Sequence, residues 1–209
     1  MTGSRPLRIG ITGPIGCGKS TIARALERRG AVVVNADVLA REATVPGEPA
    51  LAAVVARFGQ GFLLPDGSLD RAALGRLVFA DPGALSDLES IVHPAVRARV
   101  EQAFARAADD GAAVVVVEAI KLVQGGLART CDEVWLVECP PDAQLARLVD
   151  RGMAPADAEQ RISAQAGLAD RLRPAATRVI DASGSRDETE AAVDAALSVA
   201  LARARPARE

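Results

Sequence analysis

The chain has 209 residues, 49% of them hydrophobic, and a formal net charge of −2, which is typical of one globular domain and excludes a mainly disordered chain. Its charge balance, and its content of one Trp, four Phe and no Tyr, exclude nucleic acid as a main partner, because both a basic surface and a base-stacking platform are missing. No apolar run reaches the ~18 residues of a membrane span, and residues 1–10 lack a secretory apolar core. We therefore expect a cytoplasmic protein with no membrane partner.

Short apolar runs predict five strands. The runs are continuous rather than alternating, which is typical of a parallel sheet with helices on both faces. The expected strands lie near residues 7–12, 31–35, 114–117, 133–139 and 177–181.

Helical periodicity fills most of the chain between these runs. Asp70 and Asp81 are predicted helix N-caps, and the His93-Pro94 pair is expected to bend or restart the helix that contains it. A small loop or hairpin is expected around residues 59–67, and a frayed tail at residues 205–209. The predicted helices cover residues 20–29, 36–44, 48–58, 70–79, 81–108, 142–150, 156–169 and 186–204.

A phosphate-binding loop follows the first predicted strand. Residues 13–20 (GPIGCGKS) match the pattern GxxxxGK[ST], with a strand before the pattern and a helix after it. Backbone N–H groups of such a loop form a nest around phosphate oxygens, aided by the helix N-terminus. Lys19 is expected to contact the β- and γ-phosphates, and Ser20 to ligate Mg²⁺. The predicted nucleotide-binding residues are Gly13, Gly16, Cys17, Gly18, Lys19 and Ser20.

The loop predicts that the protein binds a nucleoside triphosphate but does not indicate which reaction the triphosphate undergoes. A GTPase is disfavoured, because the two lysines, Lys19 and Lys121, lie outside any Asn-Lys-x-Asp motif. A mechanical ATPase stays possible, since Glu118 follows an apolar strand and could hold the metal or activate water. Cys17 is interpreted as a substitute for serine, and the three cysteines of the chain, without a CxxC pair, predict neither a disulfide framework nor a metal site.

Several polar residues are candidates for the transfer chemistry. Asp37 follows the second strand, where a carboxylate can accept a proton from an attacking hydroxyl; it could equally be a helix N-cap. Arg71 could bind a substrate phosphate or be an ordinary charge at a helix start, and His93 could hydrogen-bond a substrate or only cap the turn at Pro94. Arg147 and Arg151 lie on one helix face and begin an arginine-rich segment that could close over the triphosphate, although a solvated surface is the alternative. Further arginines of this segment are Arg161, Arg171 and Arg173.

The ordered set of motifs resembles the dephospho-CoA kinases of coenzyme A biosynthesis over almost the whole chain. The opening segment, residues 11–21, extends the nucleotide-binding motif to Thr21. The later motifs are Ala36-Asp37, Ala40-Arg41-Glu42, Asp66-Gly67, Leu69-Asp70-Arg71, Val78-Phe79, Leu88-Glu89, His93-Pro94, Gln144, Arg147, Arg151, Arg161-Ile162, Gln165, Val179-Ile180-Asp181 and Ser183-Gly184.

The resemblance implies a P-loop kinase fold in one domain, with ATP and Mg²⁺ as cofactors and the ribose 3′-hydroxyl of dephospho-CoA as the acceptor. It implies a core (1–35, 113–140 and 174–209), a substrate-binding helical region (36–112) and a lid region (141–173). A monomer or weak homo-oligomer is expected. In this family's arrangement Asp37 would be the base, with Lys19 and Arg147 also catalytic, and the nucleotide would contact Arg147 and Arg151. The acceptor would contact Asp37, Arg71 and His93.

Two segments depart from the family pattern. Residues 118–123 read EAIKLV where the family usually has Pro-Leu-Leu-Phe-Glu, so Lys121 is a candidate acceptor contact, with a surface lysine as the alternative. Ala182 stands where an Asn is usual before Ser-Gly, which removes a side-chain contact to adenine. Two other functions stay open: another kinase of the same fold, such as an adenylate or shikimate kinase, and an ATP-binding regulator that transfers nothing.

Overall fold

The computed structural model of the protein describes residues 5–204, and within this range five strands form one sheet. The order across the sheet is β2-β3-β1-β4-β5, and β1 pairs in parallel with both β3 and β4. The prediction of a parallel five-stranded sheet is confirmed. The tail expected at residues 205–209 lies outside the described range. The strands are β1 (Leu7–Thr12), β2 (Val32–Asn35), β3 (Val114–Glu118), β4 (Glu133–Glu138) and β5 (Arg178–Asp181).

Helices connect the strands, and most of them agree with the predicted ones. One expectation is wrong, and a second is narrowed. The helix predicted over residues 156–169 is divided, because Gly167 adopts a left-handed φ of 67° and the backbone starts a new helix there. Of the two alternatives at Pro94, the restart does not occur, since α5 continues through that proline, and the bend stays a prediction. The helices are α1 (Lys19–Glu27), α2 (Ala36–Glu42), α3 (Pro49–Phe58), α4 (Arg71–Ala80), α5 (Pro82–Asp109), α6 (Pro141–Asp150), α7 (Pro155–Ala164), α8 (Leu168–Leu172) and α9 (Arg186–Ala204).

The chain divides into two compact units, one formed by residues up to 34 and from 104 onward, the other by residues 35–103. The first unit contains the sheet with helices on both faces. On one face, side chains of α1 and α9 such as Ile22 and Val193 share a core with Trp135 of β4. On the other face, Leu136 packs with Leu168 and Leu172 of α8. Alternate residues of β4 thus face opposite layers, which explains why residues 134–137 are all apolar.

The second unit is helical and has its own small core. Leu51, Val54, Leu69 and Leu74 are its buried apolar centre. The predicted small hairpin is present as an antiparallel bridge between Leu63 and Leu69.

Both predicted aspartate caps are confirmed. The side chain of Asp70 accepts a hydrogen bond from the backbone N–H of Ala73 at 2.8 Å, at the start of α4. Asp81 accepts from the N–H of Gly83 at 2.8 Å, at the start of α5. Across the described part of the chain, no helix is both long enough and apolar enough to cross a membrane.

Candidate active site

The phosphate-binding loop connects β1, the central strand of the sheet, to α1. Gly13 and Gly18 adopt positive φ values of 143° and 97° there, which side chains rarely tolerate. A Cβ atom at Gly13 would also overlap the carbonyl oxygen of Val137 in β4. The shape of the loop therefore depends on glycine at these two positions.

Lys19 lies at the first residue of α1 and is only 8% exposed. Its ammonium donates hydrogen bonds to the carbonyl oxygens of Gly13 and Pro14, both at 2.9 Å. The cation is therefore held over its own loop, with backbone oxygens compensating for part of its lost hydration.

Ser20 meets an acidic side chain that comes from a distant part of the sequence. Its hydroxyl donates a hydrogen bond of 2.7 Å to Oε1 of Glu118, the last residue of β3. Glu118 is 8% exposed and lies beside Ile11 in the parallel pairing of β3 with β1. The strand pairing thus places a carboxylate next to the hydroxyl predicted to bind a metal.

A hydroxyl and a carboxylate fit Mg²⁺, which prefers oxygen ligands and completes its shell with water and substrate phosphates. Among the residues that the structure describes, no group of three or more His, Cys, Asp or Glu side chains could hold a metal by itself. A site formed by Ser20 and Glu118 is consistent with an ion that arrives with the nucleotide. The sequence indicated Glu118 as a metal-holding residue only for the mechanical ATPase alternative, and Ser20 was the one metal ligand predicted for a kinase.

A cavity of about 360 Å³ opens beside the loop, between α1, α6 and the segment after β5. It brings Gly18 and Thr21 together with Arg147 and Arg151. Nη2 of Arg147 donates to the carbonyl oxygen of Ala182 at 2.5 Å, which ties α6 to the segment after β5. Nη1 of the same guanidinium is buried and has no hydrogen-bond partner within residues 5–204, so it can donate to a bound ligand.

The charge of the cavity wall suits a polyanion. Five arginines contribute to the lining, whereas its one acidic residue is Asp150. Two of the arginines, Arg28 and Arg186, pair with Glu190 at 2.7 and 3.0 Å. The arginines of the lining are Arg24, Arg28, Arg147, Arg151 and Arg186.

The other arginines of the predicted lid do not line this cavity. Arg171 donates to the carbonyl oxygen of Ala166 at 3.0 Å, and Arg173 pairs with Glu138 at 2.7 Å. From the same segment Gln165 reaches the loop, where its Oε1 accepts a hydrogen bond of 2.7 Å from the N–H of Ile15.

Asp37 belongs to the unit of residues 35–103, near the start of α2. The helix is capped by Asn35, whose Oδ1 accepts from the N–H groups of Asp37 and Val38 at 2.9 and 3.1 Å. The alternative that Asp37 is the cap is therefore wrong. Its carboxylate is exposed and makes no hydrogen bond or ion pair with any described residue.

Arg71 and His93 lie in the same unit as Asp37. Nη2 of Arg71 donates to the carbonyl oxygen of Arg41 at 2.9 Å and to the hydroxyl of Thr44 at 2.7 Å. Burial, together with the nearby Arg41 guanidinium, lowers the pKa of Arg71. Two guanidinium groups at close range favour an anion between them. His93 is half-buried on α5.

Lys121 lies in the other unit, exposed in the turn that follows β3. Its neighbour Leu122 is fully buried.

Comparison with known proteins decides the family. Residues 7–188 match the sequence profile of the family described as dephospho-CoA kinase. The chain belongs to the dephospho-CoA kinase family. A dephospho-CoA kinase of Symbiobacterium thermophilum is 46% identical over 189 residues, covering 90% of this chain and 79% of its own. One from Geobacter metallireducens is 48% identical over 186 residues, covering 88% of this chain and 92% of its own. A crystal structure from Thermus thermophilus superposes with a TM-score of 0.76 at 34% identity, over 93% of this chain and 98% of the other.

Membership of the dephospho-CoA kinase family confirms the resemblance and the P-loop kinase fold. The roles of the individual residues stay predictions. The loop, the Ser20–Glu118 pair and the arginine-lined cavity are the features of this family member on which a nucleotide site can be proposed.

Proposed function

We propose that the protein transfers the γ-phosphoryl group of ATP to the ribose 3′-hydroxyl of dephospho-CoA, forming coenzyme A and ADP. The observation that carries this proposal is the family match over residues 7–188, which includes the phosphate-binding loop and the whole helical unit. The reaction needs little covalent chemistry from the protein, so its residues act by positioning and by charge stabilisation.

The nucleotide side of the proposal rests on the loop and the cavity beside it. Backbone N–H groups of the loop hold the β- and γ-phosphates, and the Lys19 ammonium offsets charge that develops during transfer. Arg147 donates from Nη1 to the nucleotide while Nη2 stays on Ala182, which fixes the plane of the guanidinium. Arg151 and Thr21 complete this side of the site.

Ser20 and Glu118 are the residues proposed to hold Mg²⁺, Ser20 as a ligand and Glu118 through the serine hydroxyl or a metal-bound water. When bound, the ion neutralises phosphate charge and orients the γ-phosphoryl group. Glu118 keeps the serine oxygen turned in one direction by accepting its proton in a hydrogen bond.

The acceptor side of the proposal rests on the helical unit. Asp37 acts as the general base that accepts the proton of the ribose hydroxyl. Asn35 already caps α2, so the carboxylate of Asp37 is available to accept a proton. Arg71 binds an acceptor phosphate with support from Arg41, and His93 is proposed as a further acceptor contact of this unit. Lys121, in the other unit, is a separate candidate contact.

The regions of the chain have separate proposed roles. We assign residues 36–112 to acceptor binding, residues 141–173 to the lid, and the remaining chain to the core. The partners are ATP and dephospho-CoA, with neither nucleic acid nor membrane, in a cytoplasmic monomer or weak homo-oligomer.

A panel of acceptors tests the function. Purified protein with MgATP should release ADP only with dephospho-CoA, and the product should be coenzyme A. AMP, CMP, shikimate and gluconate should be much poorer, because the pantetheine arm and diphosphate supply binding energy that positions the hydroxyl. Faster turnover of AMP or shikimate would show a different kinase of this fold. Tight ATP binding with no active acceptor would favour a regulator.

A further inference from the structure

Two cysteines that are far apart in the sequence meet at the phosphate-binding loop. Cys17 lies inside the loop and Cys139 follows β4, and their sulfur atoms are 2.9 Å apart. The Cys17 sulfur is also 3.8 Å from the carbonyl oxygen of Cys139. Both thiols are free, and Cys17 is fully buried whereas Cys139 is partly exposed.

The surroundings differentiate the two thiols. The pKa of Cys139 is lowered, mainly by the contact with Cys17 and also by the cations of Arg147 and Lys19. Burial and the carboxylate of Asp181 act in the opposite direction. The same contact and burial raise the pKa of Cys17. The accessible thiol is therefore the one that ionises more readily, with a buried thiol as its neighbour.

We propose that Cys17 and Cys139 form an oxidisable dithiol site that reacts with hydroperoxides and closes to a disulfide, switching off nucleotide use by the loop. Formation of the disulfide depends only on the geometry of the two cysteines. The loss of kinase activity rests on the proposed function.

The chemistry proceeds in two balanced steps. The Cys139 thiolate attacks the hydroperoxide, an S–O bond forms and the O–O bond breaks, and the leaving oxygen takes a proton and departs as an alcohol or water. The Cys17 sulfur then attacks the sulfenic sulfur, an S–S bond forms, and the S–O oxygen leaves with the Cys17 proton as water. Two thiols lose two electrons to one hydroperoxide, and a dithiol reductant reverses the change.

Closing the disulfide draws Cys17 and Cys139 together and places a constraint on the loop. An S–S bond is about 2.05 Å long, so the sulfurs approach by roughly 0.85 Å from their present 2.9 Å separation. Cys17 is two residues before Lys19, within the segment that must adapt to the phosphates. Because a misplacement of about 1 Å can cost about 100-fold in rate, we expect oxidation to lower kcat/KM for ATP by roughly 10- to 100-fold.

The disulfide is tested on the full chain by counting free thiols and by mass spectrometry of tryptic peptides. Stoichiometric hydrogen peroxide should lower the number of free thiols from three to one. Trypsin should then release residues 9–19 joined to residues 130–147. Because Cys131 lies in the same tryptic peptide as Cys139, the experiment is repeated in Cys131→Ala, and a second cleavage at Glu138 separates the two cysteines. Recovery of only sulfinic or sulfonic Cys139 without a cross-link would overturn the proposal.

Enzyme kinetics test whether the disulfide lowers kinase activity. Cys139→Ala should keep the activity of the reduced enzyme and lose its sensitivity to peroxide. Cys131→Ala is the matched control and should remain sensitive, with recovery after a dithiol reductant. A cross-link that leaves kcat/KM for ATP unchanged, or equal inhibition of Cys139→Ala, would refute the switch. If the reduced protein phosphorylates no acceptor, the proposed function fails, and the mass experiment still decides whether the dithiol site exists.

Discussion

Replacing Glu118 by glutamine should raise the Mg²⁺ concentration needed for half-maximal activity, while it lowers the free energy of unfolding only slightly. Glutamine can still accept the 2.7 Å hydrogen bond from Ser20 but carries no charge. A hydrogen bond to a charged group contributes about 1.5–3 kcal/mol and a neutral one about 0.5–1.5 kcal/mol, so the expected loss of stability is about 1 kcal/mol. For a chain of this size that corresponds to a fall in Tm of about 2–4 °C.

The loss of metal affinity should be larger. Groups that orient a metal ligand typically affect metal affinity by about 10- to 100-fold. The Mg²⁺ concentration for half-maximal activity of Glu118→Gln should therefore rise at least roughly tenfold at saturating ATP and acceptor. The assay is initial ADP release against free Mg²⁺, with Tm measured by differential scanning fluorimetry.

A matched control lies at the end of β4, on the other side of β1 from β3. Glu138 ends β4 and pairs with Arg173, so Glu138→Gln removes a carboxylate from an equivalent position on the sheet. It should leave the Mg²⁺ curve unchanged. If Glu118→Gln lowers Tm but leaves the Mg²⁺ curve of the wild type intact, Glu118 is only a structural partner of Ser20, and the reasoning is refuted.

Three further substitutions test the other assigned roles. Asp37→Asn should lower kcat by about 10²–10⁴-fold with little change in Tm, because the base is lost while Asn35 still caps α2; reduced Tm with intact kcat would contradict this. Lys19→Ala should abolish most activity while circular dichroism stays that of a folded protein, since the backbone of the loop remains; near-normal turnover would exclude the loop as the phosphate site. Lys121→Ala should raise KM for the acceptor or ATP several-fold, and kinetics unchanged at both low and high salt would identify a surface lysine.

Local patterns in the sequence predicted the elements well. Short apolar runs such as the four valines of β3 predicted the positions of the strands, and Asp70 and Asp81 act as caps where they precede helical periodicity. The break at Gly167 was missed because helix propensity on both sides outweighed one glycine. The cap at Asn35 was missed because the adjacent Asp37 is equally suitable by residue type.

Contacts between distant residues account for what the sequence could not reveal. Ser20 and Glu118 are separated by 98 positions, and Cys17 and Cys139 by 122 positions. Their meeting depends on the order of strands in the sheet, in which β1 lies between β3 and β4. Composition and spacing contain no information on that order, so Cys17 could be interpreted only as a small residue in a turn.

The position of β1 in the centre of the sheet has a consequence for local unfolding. Ile9 and Ile11 are fully buried, and β1 is hydrogen-bonded on both sides, so its amide groups should exchange with solvent only when the whole domain unfolds. By contrast, Ala158 is the one buried residue of α7. That helix can therefore open at a small fraction of the global free energy of unfolding. The phosphate-binding loop thus starts directly after the slowest-exchanging strand, whereas α7 can detach and rebind many times without loss of the fold.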